Sequence, residues 1–394
     1  MIRIFRFSCV LAQPRRTKYL KHRYSVKFSV HLMKGSNVIL GLSGGVDSAV
    51  AGALLVERGY NVTAVFMKNW DEDDGTEYCT AEADYADACA IADSLKIPLE
   101  PINFAHEYWE RVFAQFLKQY NHGWTPNPDV LCNREIKFGL FLEYANAQGV
   151  ELIATGHYAR TETHDGEFSL HRGVDLQKDQ TYFLSGVPRS KLARCLFPLA
   201  ELTKTEVRKI AREIGLSVHD KKDSTGICFI GKRRFKDFLA RYVKQDKGEI
   251  VDTSDRVVGE HIGLPYYTLG QRTGLGIGGR RKGVEAPWYV MQKNQRTNQL
   301  VVTQNDCDLL NDELEADSMN WLVNDPHEYA ECEAMVRHRQ PPQTCAITFK
   351  DKHIQIHFKA PQRAITPGQY AAFYQGTRCL GSALINKVFP VNDR

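Results

Sequence analysis

Several absences narrow what this 394-residue chain can be. No apolar run approaches the ~18 residues that a membrane-crossing helix needs, so no transmembrane helix and no membrane partner are expected. The ten cysteines stand at 9, 79, 89, 132, 195, 228, 307, 332, 345 and 379, and none forms a Cys-x-x-Cys pair. That spacing argues against a zinc finger or ribbon. The chain is also too long and too sparse in cysteine for a secreted disulfide scaffold, so reduced thiols in a cytosol-like compartment are expected. Internal repeats and low-complexity tracts are missing, which speaks against a solenoid or a disordered array.

Acidic residues are missing from residues 1–32, which hold eight Lys/Arg. The remainder carries 43 Lys/Arg against 47 Asp/Glu, so the overall +4 is misleading and the body of the chain is mildly acidic. A nucleic-acid partner would therefore be met by local basic patches rather than a global field. The basic, acid-free opening is similar to a mitochondrial transit peptide. It equally fits an upstream extension with the working start at Met33, and it lacks the apolar core and small-residue cleavage site of a secretory signal. A cytoplasmic location is expected, with the mitochondrial matrix as the alternative.

What is present is an alternation of strand and helix. Residues 38–42 read as a buried strand, 46–58 as a helix, 61–67 as a strand, 80–95 as a helix and 99–103 as a strand. Helices follow over 108–120 and 135–148, then a strand over 152–155 and a helix over 203–214. This order predicts an α/β domain, a doubly wound parallel sheet with helices on both faces, over 33–236. After the helix 235–242 the long helices disappear. Short apolar runs at 288–291, 300–303, 345–349, 354–358, 370–374 and 379–385 predict two small β-rich domains, a central one over 237–304 and a C-terminal one over 305–394.

Gly41-Leu42-Ser43-Gly44-Gly45-Val46-Asp47-Ser48 joins the first strand to the first helix. Its glycines let backbone N–H groups approach an anion, its serines add donors, and the helix dipole favours negative charge. It lacks the Gly-Lys-Ser/Thr ending of a Walker loop. It is similar to the PP-loop of ATP pyrophosphatases. The later Gly274-Leu275-Gly276-Ile277-Gly278-Gly279 matches a dinucleotide fingerprint in letters only. No strand leads into it and Arg280-Arg281-Lys282 follows it, so a basic loop near RNA phosphate is the better expectation.

Two cysteines stand in distinctive surroundings. Cys132 ends Thr125-Pro126-Asn127-Pro128-Asp129-Val130-Leu131-Cys132, a proline-braced loop expected to lead into a helix whose N-terminus would favour thiolate. Asp129 is placed to accept or hold a proton. Cys228 lies in Asp223-Ser224-Thr225-Gly226-Ile227-Cys228-Phe229, with Lys221, Lys222, Lys232, Arg233 and Arg234 nearby. Taken alone, each would more often be a small buried hydrophobe.

These segments together resemble the tRNA-specific 2-thiouridylases, the bacterial MnmA and mitochondrial TRMU family. Met67-Lys68-Asn69-Trp70, Ala154-Thr155-Gly156-His157-Tyr158, Lys178-Asp179-Gln180-Thr181-Tyr182, Tyr267-Thr268-Leu269-Gly270-Gln271-Arg272 and Thr366-Pro367-Gly368-Gln369 extend the resemblance in order from about 36 to 388. It implies a PP-loop domain of the adenine nucleotide α-hydrolase-like type, a central β domain and a C-terminal β-barrel. It implies ATP, with Mg2+ accompanying it, bound by Gly41 to Ser48 with Met67 and Gly156 near the adenosine. It also implies a tRNA with a modifiable wobble uridine, whose flipped base meets Asn127, Pro128 and Asp129. Lys178, Asp179, Gln180, His157, Arg337, His338 and Gln369 would contact the rest of the tRNA. His338 stands where the family often has Tyr.

The implied catalytic residues are Cys132, Cys228 and Asp129, with sulfur delivered as a persulfide on Cys228 by a sulfur carrier or a cysteine desulfurase relay. The two cysteines can end as a disulfide. Three alternatives stay open on the sequence: another PP-loop tRNA-modifying or amidating ligase, a tRNA-binding module without catalysis, and an iron–sulfur cluster held by Cys132, Cys228 and Asp129.

Overall fold

The computed structural model describes residues 34–72, 81–222, 235–243, 246–277 and 286–389. The N-terminal strands are β1 (Asn37–Gly41), β2 (Asn61–Lys68), β3 (Leu99–Asn103), β4 (Leu152–Ala154), the hairpin β5 (Ala159–His164) and β6 (Glu167–Arg172), and β7 (Cys195–Leu196). Five of them form an all-parallel sheet in the order β3-β2-β1-β4-β7. Side chains alternate across β1. Val38 and Leu40 join the helices Val46–Glu57, Ala81–Leu95 and Lys204–Glu213 in one apolar cluster. Ile39 joins residues of the 105–121 and 128–147 helices in another, as expected of a doubly wound sheet.

The strand order reverses at β1, with β2 on one side and β4 on the other. The crevice between the loops leaving β1 and β4 is the topological switch point, where open α/β sheets collect ligands.

The helix expected from Glu135 begins about two turns earlier, at Pro128. Asn127 caps it, its side-chain oxygen accepting from the backbone N–H of Asp129 at 3.2 Å and of Val130 at 3.4 Å. Pro128 takes the first helical position, where its missing N–H costs nothing. Cys132 therefore sits inside the helix rather than at its mouth. A π-helical stretch follows over Asn133–Leu140, then an α segment over Phe141–Ala147. Such widened turns recur at functional sites.

The rear half contains β8 (Gly248–Val251), β9 (Val257–His261), β10 (Tyr289–Asn294), β11 (Gln299–Thr303), β12 (Leu310–Trp321), β13 (Glu331–Met335), β14 (Gln343–Phe349), β15 (Ile354–Arg363), β16 (Tyr370–Gln375) and β17 (Arg378–Phe389). A four-stranded central sheet runs β10-β11-β8-β9. The C-terminal sheet runs β12-β15-β14-β13-β16-β17 and closes through β12 onto β17, giving the expected barrel. The β5–β6 hairpin, which belongs in sequence to the nucleotide domain, is added to this barrel sheet at β17 through Arg378↔His171 and Cys379↔Leu170.

Candidate active site

The loop after β1 is built to leave donors free. Gly45 is the N-cap of the helix Val46–Glu57, its backbone extended, and no side-chain hydrogen bond caps that end. The first N–H groups of a twelve-residue helix thus face the switch point without a side-chain partner, the arrangement that suits phosphate. Ser48 Oγ holds the loop shut from inside. It donates to Gly45 O at 3.1 Å, accepts from the Ser43 N–H at 3.2 Å and lies 3.2 Å from Ser43 Oγ. Leu42 and Val46 turn their side chains into the core, so only their backbone can serve a nucleotide.

Two glycines allow close approaches. Gly44 adopts φ +72°, and a Cβ there would lie 2.2 Å from the carbonyl oxygen of Asp84. Gly156, in the loop after β4, packs backbone to backbone on the helix start, where a Cβ would lie 2.7 Å from Ser48 N. Met67 lies across Gly41, its methyl 3.2 Å from where a Cβ would stand. The structure thus brings Gly41 to Ser48, Met67 and Gly156 to one edge of the sheet.

Around this cradle stand residues that the sequence reading did not assign to it. Lys204 Nζ donates to the Asp47 carboxylate at 2.7 and 2.8 Å and Tyr158 OH donates to it at 2.8 Å, so the pair brace the loop through Asp47. Lys221, read from the sequence as a cation near Cys228, reaches the cradle. Its Nζ donates to Asp84 at 2.8 Å, Asp87 at 2.5 Å and Gly44 O at 3.1 Å. Burial alone would lower its pKa, but the hydrogen bonds and charges of Asp84 and Asp87 outweigh that and raise it. By holding the Gly44 carbonyl, Lys221 fixes the Gly44–Gly45 peptide plane that leads into the helix. Lys221→Met is expected to weaken ATP binding roughly tenfold, because one charged donor serving three acceptors is lost. Calorimetry with ATP checks this, and unchanged affinity would remove Lys221 from the cradle.

The helix carrying Cys132 reaches the cradle through an aromatic contact. Phe138 packs on His157 at 5.5 Å between ring centroids, one residue beyond Gly156. The Cys132 thiol is 1% exposed and lies in the apolar cluster with Val130 and Leu131. Burial pushes the Asp129 carboxyl up from its ordinary pKa, while Lys137 and His338 pull it back. Asn127 donates to Gln369 Oε1 at 3.3 Å, and Gln369 Nε2 donates to Thr125 O at 2.7 Å. His338 lies 3.3 Å from Asp179 O and packs on Phe183 at 4.3 Å. The backbone N–H of Gln180 donates to Tyr158 O at 3.0 Å. Pro128 is buried, and Lys178 is half-buried beside Asp179. Asn127, Asp129, Asp179, Gln180, His338 and Gln369 are thus brought together. Cys228 lies outside the described residues.

Three expected tRNA contacts have inward side chains. His157 is 8% exposed, and its Nδ1 lies 2.8 Å from Thr155 Oγ1. Burial, then the charge of Lys137, hold its pKa well below the ordinary value, so it is a neutral, satisfied histidine. Asp179 is 4% exposed and accepts from Arg172 Nε at 3.1 Å and from Thr181 Oγ1 at 2.9 and 3.0 Å. Arg337 Nη2 donates to Leu269 O, Ala364 O and Thr366 Oγ1 at 2.7–2.9 Å, which ties the barrel to the central domain. As placed, these three side chains are hydrogen-bonded within the protein. The Gly274–Ile277 stretch is likewise structural where described. Leu275 is buried, and Ile277 packs where a side chain on Gly259 would stand.

Comparison with known proteins adds to this geometry. Residues 36–232 match the tRNA methyl transferase HUP domain family, 236–304 the tRNA methyl transferase PRC-barrel domain, and 311–385 the aminomethyltransferase beta-barrel domain. The tRNA-specific 2-thiouridylase MnmA of Marinomonas sp. (strain MWYL1) is 51% identical over 356 residues, covering 89% of this chain and 91% of the relative. The chain belongs to the tRNA-specific 2-thiouridylase family. The MnmA of Sodalis glossinidius is 51% identical over 360 residues, covering 90% of this chain and 98% of the relative. The three matched segments follow one another along this chain without a long gap. Among the described residues no helix is long and apolar enough to cross a membrane.

Proposed function

We propose that this chain is an ATP-dependent tRNA sulfurtransferase that replaces the C2 oxygen of the wobble uridine by sulfur. The observation that carries this is the contact between two machineries. A helix N-terminus without a side-chain cap stands at the switch point. The helix bearing Asp129 and Cys132 packs onto the neighbouring loop through Phe138 and His157. A phosphate cradle and a nucleophile-bearing helix held by one loop suit activation of a carbonyl followed by attack on it.

In this reading the C2 oxygen of uridine attacks the α-phosphate of ATP and pyrophosphate leaves. AMP is then the leaving group where oxide would not depart. The terminal sulfur of a Cys228 persulfide attacks C2 and expels AMP. The Cys132 thiolate attacks the inner sulfur on Cys228, forming a Cys132–Cys228 disulfide and freeing the 2-thiouridine. A thiol reductant returns both cysteines to thiols, and a sulfur carrier or a cysteine desulfurase relay reloads Cys228. Asp129, in a buried site that favours its neutral form, holds or releases a proton beside the base. The reaction needs the base out of its stack, which suits the helix start at Asn127–Asp129. Lys178, Gln180 and His338 are the proposed tRNA contacts.

Among the described residues no group of three His, Cys, Asp or Glu is gathered to hold a metal, and the Asp84–Asp87 carboxylates are engaged by Lys221. Magnesium would come with the ATP phosphates and neutralise their charge, drawing most of its ligands from phosphate and water. No step uses an iron–sulfur cluster.

The test is nucleoside analysis of tRNA from cells lacking the protein, alongside assay of the purified chain with ATP, tRNA and a persulfide donor. Loss of 2-thiouridine in the first and ATP-dependent gain in the second are expected. Normal thiolation without the protein would end the proposal. A tRNA product carrying nitrogen rather than sulfur would point to a ligase, and no pyrophosphate release would point to a binding module.

A further inference from the structure

The loop that precedes Cys132 is held by the far end of the chain. The backbone N–H of Thr125 donates to Pro367 O at 2.9 Å. Gln369 Nε2 donates to Thr125 O at 2.7 Å, and Gln369 Oε1 accepts from Asn127 Nδ2 at 3.3 Å. Both polar atoms of one glutamine, more than 240 residues away in sequence, are thus spent on this loop. Gly368 lies against the same backbone. It has φ +91°, and a Cβ would stand 3.0 Å from Thr125 C and O and from Trp124 Cβ.

The turn is itself anchored on the barrel. Gly368 N donates to Ile385 O at 2.8 Å, and the Ile385 N–H donates to Gln369 O at 2.9 Å. Arg337 holds the start of the turn through Thr366 Oγ1 at 2.7 Å and Ala364 O at 2.8 Å. The loop side has less of its own. Asn127 is the cap of the helix that carries Asp129 and Cys132, and that cap rests on contacts of 3.2 and 3.4 Å.

We infer that Gln369, seated by Gly368, is a positioning residue that sets the Asn127 cap and thereby the place of Cys132. The barrel is then a structural part of the active site as well as a surface for RNA. The physical reason is a division of labour. A helix N-terminus preceded by Thr-Pro-Asn-Pro has few backbone donors of its own, so its cap is only as fixed as the groups that hold the capping side chain. Asn127 accepts from the helix through its oxygen, and its Nδ2 is oriented by Gln369. Losing that orientation leaves the Asn127 amide held only by its hydrogen bond to the Tyr182 side chain, and the helix start freer to fray.

The inference rests on the proposed function only in calling Cys132 catalytic, so its test is read without tRNA. The full-length protein is treated with iodoacetamide, and labelling rates of individual cysteines are followed by peptide mass spectrometry. Cys132 is buried and reacts only through local opening. Cys195, also buried and donating to Lys191 O at 3.1 Å, is the internal standard for global opening. Gln369→Ala and Gly368→Ala are each expected to raise Cys132 labelling roughly tenfold while Cys195 labelling stays at the wild-type rate. Gln369→Glu keeps the acceptor for Asn127 but not the donor to Thr125 O, so its rate should fall between. In turnover assays the same variants should lower kcat with KM for ATP unchanged. Wild-type Cys132 labelling in both alanine variants would overturn the inference, as would an equal rise at Cys195, which would make the turn a general stabiliser. If the protein does not thiolate tRNA, the labelling result stands unaffected and only the turnover arm falls.

Discussion

Cys132→Ser and Cys228→Ser are each expected to abolish thiolation, by on the order of a thousandfold or more, while ATP binding survives. The two losses arise at different points. Without Cys228 no persulfide is loaded. Without Cys132 the sulfur remains tied to Cys228 after AMP has left, and the modified tRNA is not released. Pyrophosphate release in the presence of tRNA should therefore persist in both variants, because activation precedes sulfur transfer and the cradle has no cysteine. The double variant should lose no more than either single one, since both act in one sequence of steps. Serine in place of buried Cys132 changes little in volume, so retained folding can be checked by thermal melting. Measuring sulfur in product tRNA decides the matter, and near-wild-type thiolation by both variants would leave the assigned chemistry without its nucleophiles.

Much of this was legible before the structure, for reasons that differ from residue to residue. The alternation of Val38, Ile39 and Leu40 across a two-sided sheet follows from strand periodicity, and Ser43-Gly44-Gly45 marks the turn that a phosphate cradle needs. The Asn127-Pro128 pair was an available start signal for a helix, yet the apolar pattern from Glu135 drew the expected boundary downstream. The β5–β6 hairpin could be read as two strands, but nothing local tells a strand at residue 170 to pair with one at 379. The same limit hid the roles of Lys221 and Arg337. In sequence a basic residue reads as a solvated charge or an RNA contact. Only the folded chain shows that Arg337 meets Leu269 O, Ala364 O and Thr366 Oγ1, or that Lys221 meets Gly44 O. Short-range signals specify elements, and the partners of long polar side chains emerge from packing.

Gly156→Ala is expected to cost about a hundredfold in ATP affinity while the fold survives, because the damage falls on the cradle itself. Gly156 is absent from the glycines with left-handed backbone, so space alone demands it. Its missing side chain would lie 2.7 Å from Ser48 N, 2.8 Å from Asp47 C and 3.1 Å from Asp47 O, all backbone atoms of the helix start. No flexible side chain is available to give way. Relieving the overlap means moving either β4's loop or the first turn of the helix. Overpacking of this kind costs about 1–3 kcal/mol. The turn that moves carries the N–H groups meant for phosphate, and Asp47 is pinned from the other side by Lys204 and Tyr158. Gly149→Ala is the control. Gly149 has φ +72° with nothing within 4 Å, so alanine there strains the backbone and lowers stability by about 1 kcal/mol without touching the nucleotide. If isothermal titration finds Gly156→Ala binding ATP as the wild type does, the nucleotide does not lie on the N–H groups of this helix. The loop after β4 would then be a packing feature, and the activation step would have to be built elsewhere on the sheet edge.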